Sequence, residues 1–77
     1  MYLIYTKENC GYCRNIKLVF DRIGQDYMEL KLGKDFSKEQ FIQKFGYGTN
    51  FPRVLKDGRC LGGCNETITY LRNEGLV

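Results

Sequence analysis

Two cysteines three positions apart, between a strand-like run and a helical pattern, constrain this chain more than any other feature. Cys10 and Cys13 follow a short apolar run at residues 1–5 and precede an amphipathic segment. At a strand-to-helix junction both sulfurs lie beside the first helical turn, where free backbone N–H groups and the positive end of the dipole stabilise a thiolate. The pattern therefore predicts a nucleophilic thiol and a second thiol close enough to form a small disulfide ring.

Other roles for the cysteines remain open at this point. A zinc site would need a second ligand pair, which Cys60 and Cys64 could supply, and because the chain has no histidine it would have to consist of four thiolates. A c-type haem site is excluded because Arg14, not histidine, follows Cys13. A purely structural disulfide is disfavoured, since a ring this small removes little entropy from the unfolded chain.

Length and composition predict one soluble domain spanning residues 1–77. The chain is 43% hydrophobic and 27% charged, as in ordinary globular proteins. Lys7 interrupts the N-terminal apolar run, so no signal peptide is predicted, and no segment is long enough to cross a membrane. We therefore expect a cytoplasmic monomer without membrane association. In a reducing compartment, paired cysteines are catalytic or metal-binding more often than structural.

The net charge of +3 is mild, and no two basic residues are adjacent. No basic tract for nucleic acid is present, so nucleic-acid binding is not predicted. Most charges are expected on a solvated surface. Lys7 and Arg14 flank the thiols, however, and with Arg53 they would make the site electropositive, which lowers a thiol pKa and attracts an anionic substrate.

The first half of the chain predicts a β-α-β unit followed by a second helix. Residues 1–6 form a strand candidate whose continuous apolar run indicates burial on both faces. The helix after it ends near residue 23 and has one apolar stripe, and residues 27–32 alternate as a second strand, parallel to the first. Ser37 and Gln40 predict a capping box at the start of the second helix.

The second half predicts a hairpin and a last helix. Residues 53–56 and 59–61 are short strands around Asp57 and Gly58, a strong hairpin signal. Asn65 is the predicted N-cap of a helix that runs to residue 72 or 73. The element order β-α-β-α-β-β-α makes this an α/β fold with a four-stranded mixed sheet and helices on both faces.

Three motifs in this order resemble glutaredoxins, a branch of the thioredoxin-fold family. Residues 5–13, YTKENCGYC, are similar to the family's Y-T-K-x-x-C-P-Y-C. Residues 51–54, FPRV, resemble its V-P-Q-I-F segment, and residues 57–65, DGRCLGGCN, resemble its N-G-x-x-I-G-G-C-D. Together the motifs span most of the chain at family spacing, and the resemblance implies the thioredoxin fold.

The resemblance also implies a glutathione-dependent thiol–disulfide oxidoreductase. Cys10 would be the exposed nucleophile and Cys13 the resolving thiol. Glutathione would be the reductant, with Lys7 pairing with its glycyl carboxylate. The γ-glutamyl carboxylate would be held by backbone N–H groups at the start of the last helix, at Gly63, Cys64 and Asn65.

The same resemblance implies two further features of the glutathione groove. Pro52 would follow a cis peptide bond, and the backbone of Phe51 would then be free to bond the ligand as a strand does. Tyr12 would shape the rim of the groove, although an exposed tyrosine in a tight turn is an equally good interpretation.

Several positions depart from the family pattern. Gly11 replaces the usual proline; some members without it carry a [2Fe–2S] cluster between two subunits with glutathione as co-ligand, which is one alternative here. Asn50 replaces threonine, and Asn65 replaces aspartate, so it cannot form an ion pair with the glutathione ammonium. The loop near Gly48 lacks a basic residue, leaving the glycyl carboxylate to Lys7, with Arg53 as a candidate substitute.

The expected partners are glutathione and proteins that carry disulfides or glutathione mixed disulfides. Small glutaredoxins of microbes and their viruses often supply electrons to ribonucleotide reductase, and a 77-residue chain is compatible with that role. A redoxin reduced by thioredoxin reductase is a further alternative, which the residues 62–65 disfavour. A regulatory disulfide between Cys60 and Cys64 is also disfavoured.

Overall fold

A computed structural model describes residues 1–77 and contains the seven elements in the predicted order. The elements are β1 (Tyr2–Thr6), α1 (Gly11–Arg22), β2 (Met28–Lys31), α2 (Lys38–Phe45), β3 (Arg53–Lys56), β4 (Arg59–Gly62) and α3 (Cys64–Asn73). The strands form one sheet in the order β2-β1-β3-β4. β1 is parallel to β2 and antiparallel to β3, and β3 is antiparallel to β4. The predicted mixed sheet is therefore confirmed. No helix has the length and apolar character needed to span a membrane.

β1 lies in the middle of the sheet and sends alternate side chains to two separate cores, as its continuous apolar run predicted. On one face Ile4 packs with α1 and α3 in a cluster of seven buried residues, Tyr2, Ile4, Ile16, Phe20, Val54, Cys64 and Leu71. On the other face Tyr5 packs with Phe41 of α2 and with Leu55. Burial on both faces anchors β1 and fixes the position of the loop that follows it.

The second core is mainly aromatic. The Phe41 ring stacks on the Phe51 ring with centroids 4.2 Å apart, and Tyr5 meets Phe36 and Phe45 edge-on at 5.0 Å. Offset and edge-to-face geometries are those that aromatic quadrupoles favour. This packing holds the side chain of Phe51, just before β3, against α2.

Local signals for the second helix and the hairpin are confirmed. The Gln40 backbone N–H donates to Ser37 Oγ at 3.1 Å, and the Ser37 N–H donates to Gln40 Oε1 at 2.8 Å, which completes the capping box. Asp57 and Gly58 both have positive φ, 51° and 85°, as a two-residue hairpin turn of this twist requires. These turn residues fix the register of β3 against β4.

The clearest differences from the prediction are in β2 and at the start of α3. β2 covers only Met28–Lys31, where residues 27–32 were predicted: Tyr27 lies before the ladder with its ring edge-on to Phe20, and Leu32 after it forms an isolated bridge with Phe36. The predicted N-cap at Asn65 is wrong: the helix already begins at Cys64, and Gly63 is the N-cap. The physical reason is Glu66, whose Oε1 accepts from the Gly63 N–H at 3.0 Å and so closes the helix start two residues earlier.

Candidate active site

Cys10 is the N-cap of α1, and its own sulfur caps the helix. Its backbone is extended, with φ −115° and ψ 104°, and its Sγ accepts from the Cys13 backbone N–H at 3.1 Å. Asn9 precedes it with φ 55°, a left-handed turn that asparagine tolerates. This turn brings the chain from the end of β1 round to the helix start. The thiol therefore lies where unpaired N–H groups and the helix dipole favour its ionised form.

Cys13 differs from Cys10 mainly in its exposure. Cys10 is half-buried, whereas Cys13 is only 2% exposed, one turn inside the helix. The two residues are joined as a disulfide, with Cα atoms 5.2 Å apart. An incoming thiol can thus reach only the sulfur of Cys10, so Cys13 is suited to act second.

The thiol pair borders a charged cavity of about 270 Å³ on the side of β2. Its basic side chains belong to Lys7, Arg14, Lys17 and Lys31, and its two acidic ones to Glu8 and Glu29. The first turn of α1 has no acidic residue. Positive charge therefore predominates beside the thiols, as the sequence predicted from Lys7 and Arg14.

Two further cavities meet at Phe51, and one of them shares Lys7 with the cavity beside the thiols. One, of about 250 Å³, is lined by the remaining predicted site residues, Tyr12, Phe51, Pro52, Gly63, Cys64 and Asn65. The other, of about 370 Å³, lies over α2 and is lined by Lys7 and Phe51. All nine residues selected from the sequence therefore line three adjoining cavities around the thiol pair.

Phe51 and Pro52 join the cavities through their backbone and ring. The peptide bond between them is cis, as the resemblance implied. The N–H and C=O of Phe51 form no hydrogen bond within the chain, so both are available to a ligand. Lys7 Nζ lies 5.5 Å from the centre of the Phe51 ring, a cation–π contact that holds this ammonium beside the same backbone. Tyr12 is 60% exposed at the rim.

Sequence reasoning missed Glu66, and the structure places Arg53 on a different cavity from Lys7. The Glu66 carboxylate bonds Gly63 at the start of α3; hydrogen bonds from the backbone N–H groups of Glu66 and Gly63 lower the pKa of Glu66. Arg53 Nε donates to the carbonyls of Asn50 and Pro52 at 3.0 and 3.2 Å, so Arg53 lies on the α3 side and lines no cavity with Lys7. The sequence signal for the role of Glu66 was its position three residues after Gly63, which is the spacing of a capping box.

The other two cysteines take no part in the pair. Cys60 is exposed on β4, Cys64 is buried at the start of α3, and both are free thiols. No group of three or more His, Cys, Asp or Glu side chains is placed to hold a metal ion, so the structure does not assemble the four-thiolate zinc site. Burial, and secondarily the charge of Glu66, raises the pKa of the Cys64 thiol.

The sheet order and the position of the thiols at the start of α1 define the class of thioredoxin-fold thiol–disulfide oxidoreductases. Within it, the family model "Glutaredoxin" matches residues 3–61. Glutaredoxin 3 of Escherichia coli K12 is 34% identical over 74 residues, which cover 95% of this chain and 88% of the relative. Glutaredoxin 1 of Rickettsia prowazekii is 32% identical, covering 97% and 80%. The chain therefore belongs to the glutaredoxin family and is a glutaredoxin oxidoreductase.

Solved structures agree with this assignment. The buckwheat glutaredoxin–glutathione complex superposes with a TM-score of 0.80 at 26% identity, covering 97% of this chain and 71% of that one. Reduced Escherichia coli glutaredoxin superposes with a TM-score of 0.80 at 17% identity, covering 99% and 98%. The second likeness concerns the fold alone.

Proposed function

We propose that this glutaredoxin takes its electrons from glutathione and reduces protein disulfides and glutathione mixed disulfides through Cys10 and Cys13. The observation that carries the proposal is that Cys10 lines a basic cavity, which shares Lys7 with a second cavity that in turn meets a third at Phe51. Glutathione is a small peptide with two carboxylates and one ammonium. Its length and charge suit a ligand lying across Cys10 from Lys7 to the start of α3.

In the proposed cycle, the Cys10 thiolate attacks the sulfur of a substrate disulfide and displaces the other sulfur as a thiolate, forming a mixed disulfide. For a protein disulfide, Cys13 then attacks Cys10, releases the second substrate sulfur and leaves the Cys10–Cys13 disulfide. Two glutathione thiols restore the dithiol by donating two electrons and leave as glutathione disulfide. For a glutathione mixed disulfide, Cys10 takes up the glutathionyl group and the substrate thiolate leaves. A second glutathione thiolate then attacks the glutathione sulfur of this mixed disulfide and displaces the Cys10 thiolate, so glutathione disulfide is released and Cys13 is not required.

Binding of the tripeptide follows from the groups that line the groove. Lys7 would pair with the glycyl carboxylate, and the free N–H and C=O of Phe51 would bond the cysteinyl backbone in strand fashion. Cys64 and Asn65 would offer the backbone N–H groups of α3 to the γ-glutamyl carboxylate, while Gly63 is already bonded to Glu66. Tyr12 and Pro52 would shape the walls of the groove.

The test is glutathione-dependent reduction of a small glutathione mixed disulfide by the wild type, Cys10→Ser and Cys13→Ser. We expect Cys10→Ser to be inactive and Cys13→Ser to retain turnover on this substrate but to lose it on protein disulfides. Lys7→Gln should raise KM for glutathione about tenfold with little change in kcat, because one charge-assisted contact is lost. The matched control is Lys34→Gln, an exposed lysine remote from the groove.

A wild-type protein that is inactive with glutathione but is reduced by thioredoxin reductase would overturn the proposal in favour of the redoxin alternative.

We also propose ribonucleotide reductase as one protein acceptor, with the protein acting as a monomer in the cytoplasm. The acceptor is tested by measuring deoxyribonucleotide formation by ribonucleotide reductase with glutathione as the reductant, with Cys10→Ser as the blank. The oligomeric state is tested by measuring the molar mass in solution by light scattering.

A further inference from the structure

β2 turns a charged face, not an apolar one, toward α1. Glu29 pairs in register with Ile4, a fully buried residue of the α1-side core. Neighbours in register point to the same face of a sheet, so Glu29 lies on the α1 side at the edge of that core. Lys17 meets it from α1, with Nζ 3.1 Å from Glu29 Oε2, and the two side chains are only 30% and 29% exposed. This ion pair thus occupies a half-buried place that apolar side chains could fill.

The carboxylate of Glu29 has a second partner. Thr6, at the end of β1 and 1% exposed, donates its hydroxyl to the same Oε2 at 2.6 Å. Burial acts to raise the pKa of Glu29, but the hydrogen bonds from Thr6 and Lys17 and the charges of Lys17 and Lys31 outweigh it, so the pKa lies below its ordinary value. Glu29 is therefore ionised at neutral pH.

The pair opens into the same cavity of about 270 Å³ as the two thiols. Lys17 follows Cys13 by four positions on α1 and so lies on the same side of the helix. Charges that share a partly buried cavity interact more strongly than charges separated by bulk water. Lys17 and Glu29 are therefore placed to act on the thiol pair.

Other charged groups also lie around the Lys17–Glu29 pair. The rim of the cavity also holds Lys31 and Glu8, whose charged atoms are 3.3 Å apart with side chains 40% and 76% exposed. Lys7 and Arg14 border the thiols on the helix side. Just before β2, burial raises the pKa of Tyr27, and the nearby carboxylates of Asp21 and Glu29 raise it further. Lys17 and Glu29 are the least exposed oppositely charged pair in this set.

A half-buried ion pair contributes little to stability, because desolvation of its charges offsets their attraction. We propose that Lys17 and Glu29 act as a balanced charge pair that sets the equilibrium between the disulfide and dithiol forms of Cys10 and Cys13. Both are positioning residues, since they act on the thiols through the electric field without taking part in bond exchange. The inference rests on thiol–disulfide chemistry alone and does not depend on the use of glutathione.

The physical basis is the charge difference between the two redox forms. Reduction breaks the sulfur–sulfur bond and adds two electrons and two protons; a thiol that then ionises returns one proton to water. Only the reduced form therefore carries negative charge on sulfur. The Lys17 ammonium favours this form and the Glu29 carboxylate disfavours it. Removing the Lys17 charge should therefore move the equilibrium toward the disulfide, and removing the Glu29 charge should move it toward the dithiol.

The experiment equilibrates the protein with mixtures of reduced and oxidised dithiothreitol, which donates two electrons and becomes a cyclic disulfide. We expect Glu29→Gln to shift the equilibrium constant about threefold toward the dithiol, because the Lys17 charge is left unbalanced. Lys17→Gln should shift it about threefold toward the disulfide, and the double variant should return close to the wild type. A threefold change corresponds to about 14 mV for this two-electron couple.

Glu8→Gln is the matched control, since Glu8 borders the same cavity but is well exposed and screened, and it should shift the equilibrium less than either single variant. Circular dichroism verifies that each variant is folded. Two single variants that shift the equilibrium in the same direction, or that leave it unmoved, would overturn the proposal. A purely structural pair would lower the melting temperature in both variants without opposite redox shifts. Because the reductant is dithiothreitol, failure here is separate from failure of the glutathione proposal.

Discussion

Cys10 and Cys64 both lie at the N-terminal end of a helix, but they differ in exposure, in neighbouring charge and in what caps the helix. Cys10 is half-buried beside Lys7 and Arg14, and its own sulfur accepts from the first turn of α1. Cys64 is 6% exposed inside α3, whose start is capped by the carboxylate of Glu66. A position at a helix N-terminus does not by itself make the two thiols alike, because only Cys10 reaches water and only its helix start lacks a capping carboxylate.

The largest expected effect is on alkylation of the reduced protein by iodoacetamide at neutral pH. Cys10 should react at least about 100-fold faster than Cys64, because the thiolate is the nucleophile and burial raises the pKa of the Cys64 thiol. Mass spectrometry of peptides after timed quenching measures both rates in one sample. Exposed Cys60 is the internal reference for an ordinary thiol. Equal rates at Cys10 and Cys64 would refute the comparison.

The two helix starts should also differ in their tolerance of a methyl group. Gly62 has φ +115°, and a Cβ there would lie 2.7 Å from the Cβ of Glu66, so Gly62→Ala should lower the free energy of unfolding by about 2 kcal/mol or more. Gly11 has open space around it, and Gly11→Ala should leave stability equal or raise it by about 0.5 kcal/mol. Urea denaturation of both variants measures the difference, and a similar loss in both would show that the contact with Glu66 is unimportant.

A smaller effect is expected from the charge beside Cys10. Arg14→Gln should slow alkylation of Cys10 about threefold at low salt, because a cation near the helix start stabilises the thiolate. Arg22→Gln is the matched control, since Arg22 is exposed in the last turn of the same helix. The difference between the two variants should shrink as salt is added. A threefold loss in Arg22→Gln as well would assign the effect to net charge instead of position.

The smallest effect is on the alkaline side of the stability curve. The pKa of Cys64 is raised above its ordinary value of 9.0 by burial and then by Glu66, so the unfolded chain loses this proton first. The contribution of Cys64 is therefore complete below pH 9 and is lost as pH rises through the folded-state pKa. Cys64→Ala should flatten the fall in unfolding free energy just above pH 9, whereas Cys60→Ala should not. If the unfolding free energy of Cys64→Ala fell with pH as steeply as that of the wild type, ionisation of Cys64 would not be the cause of the fall.

Much of the fold was predictable because strong local signals agreed with the tertiary packing. The capping box at Ser37 and the Asp57–Gly58 turn depend on short-range chemistry, and both formed as predicted. The start of α3 was not predicted correctly, because Asn65 and Gly63 are both acceptable N-caps and only the contact with Glu66 decides between them. Local capping preferences therefore do not distinguish between these two N-cap positions.

The candidate site shows the same division. The resemblance selected nine residues, and they line adjoining cavities because β1, β3 and α3 all bring their loops to one end of the sheet. The Lys17–Glu29 pair was missed because the alternating pattern of β2 marks Glu29 as a solvent-facing position. The position of Glu29 on the α1 side becomes evident only from its register with Ile4 and from its contact with Lys17 of α1.

The convergence of these loops separates chemistry from recognition along the chain. The reacting thiols come from one segment around residue 10, whereas the cavity wall on the α3 side comes from residues 50–53 and 63–66, apart from Tyr12. The one sulfur in these later segments belongs to the buried free thiol of Cys64, which takes no part in the Cys10–Cys13 pair. Their side chains can therefore be redesigned, or exchanged as short cassettes with a relative, to redirect the enzyme to new substrates while its electron-transfer unit stays unaltered.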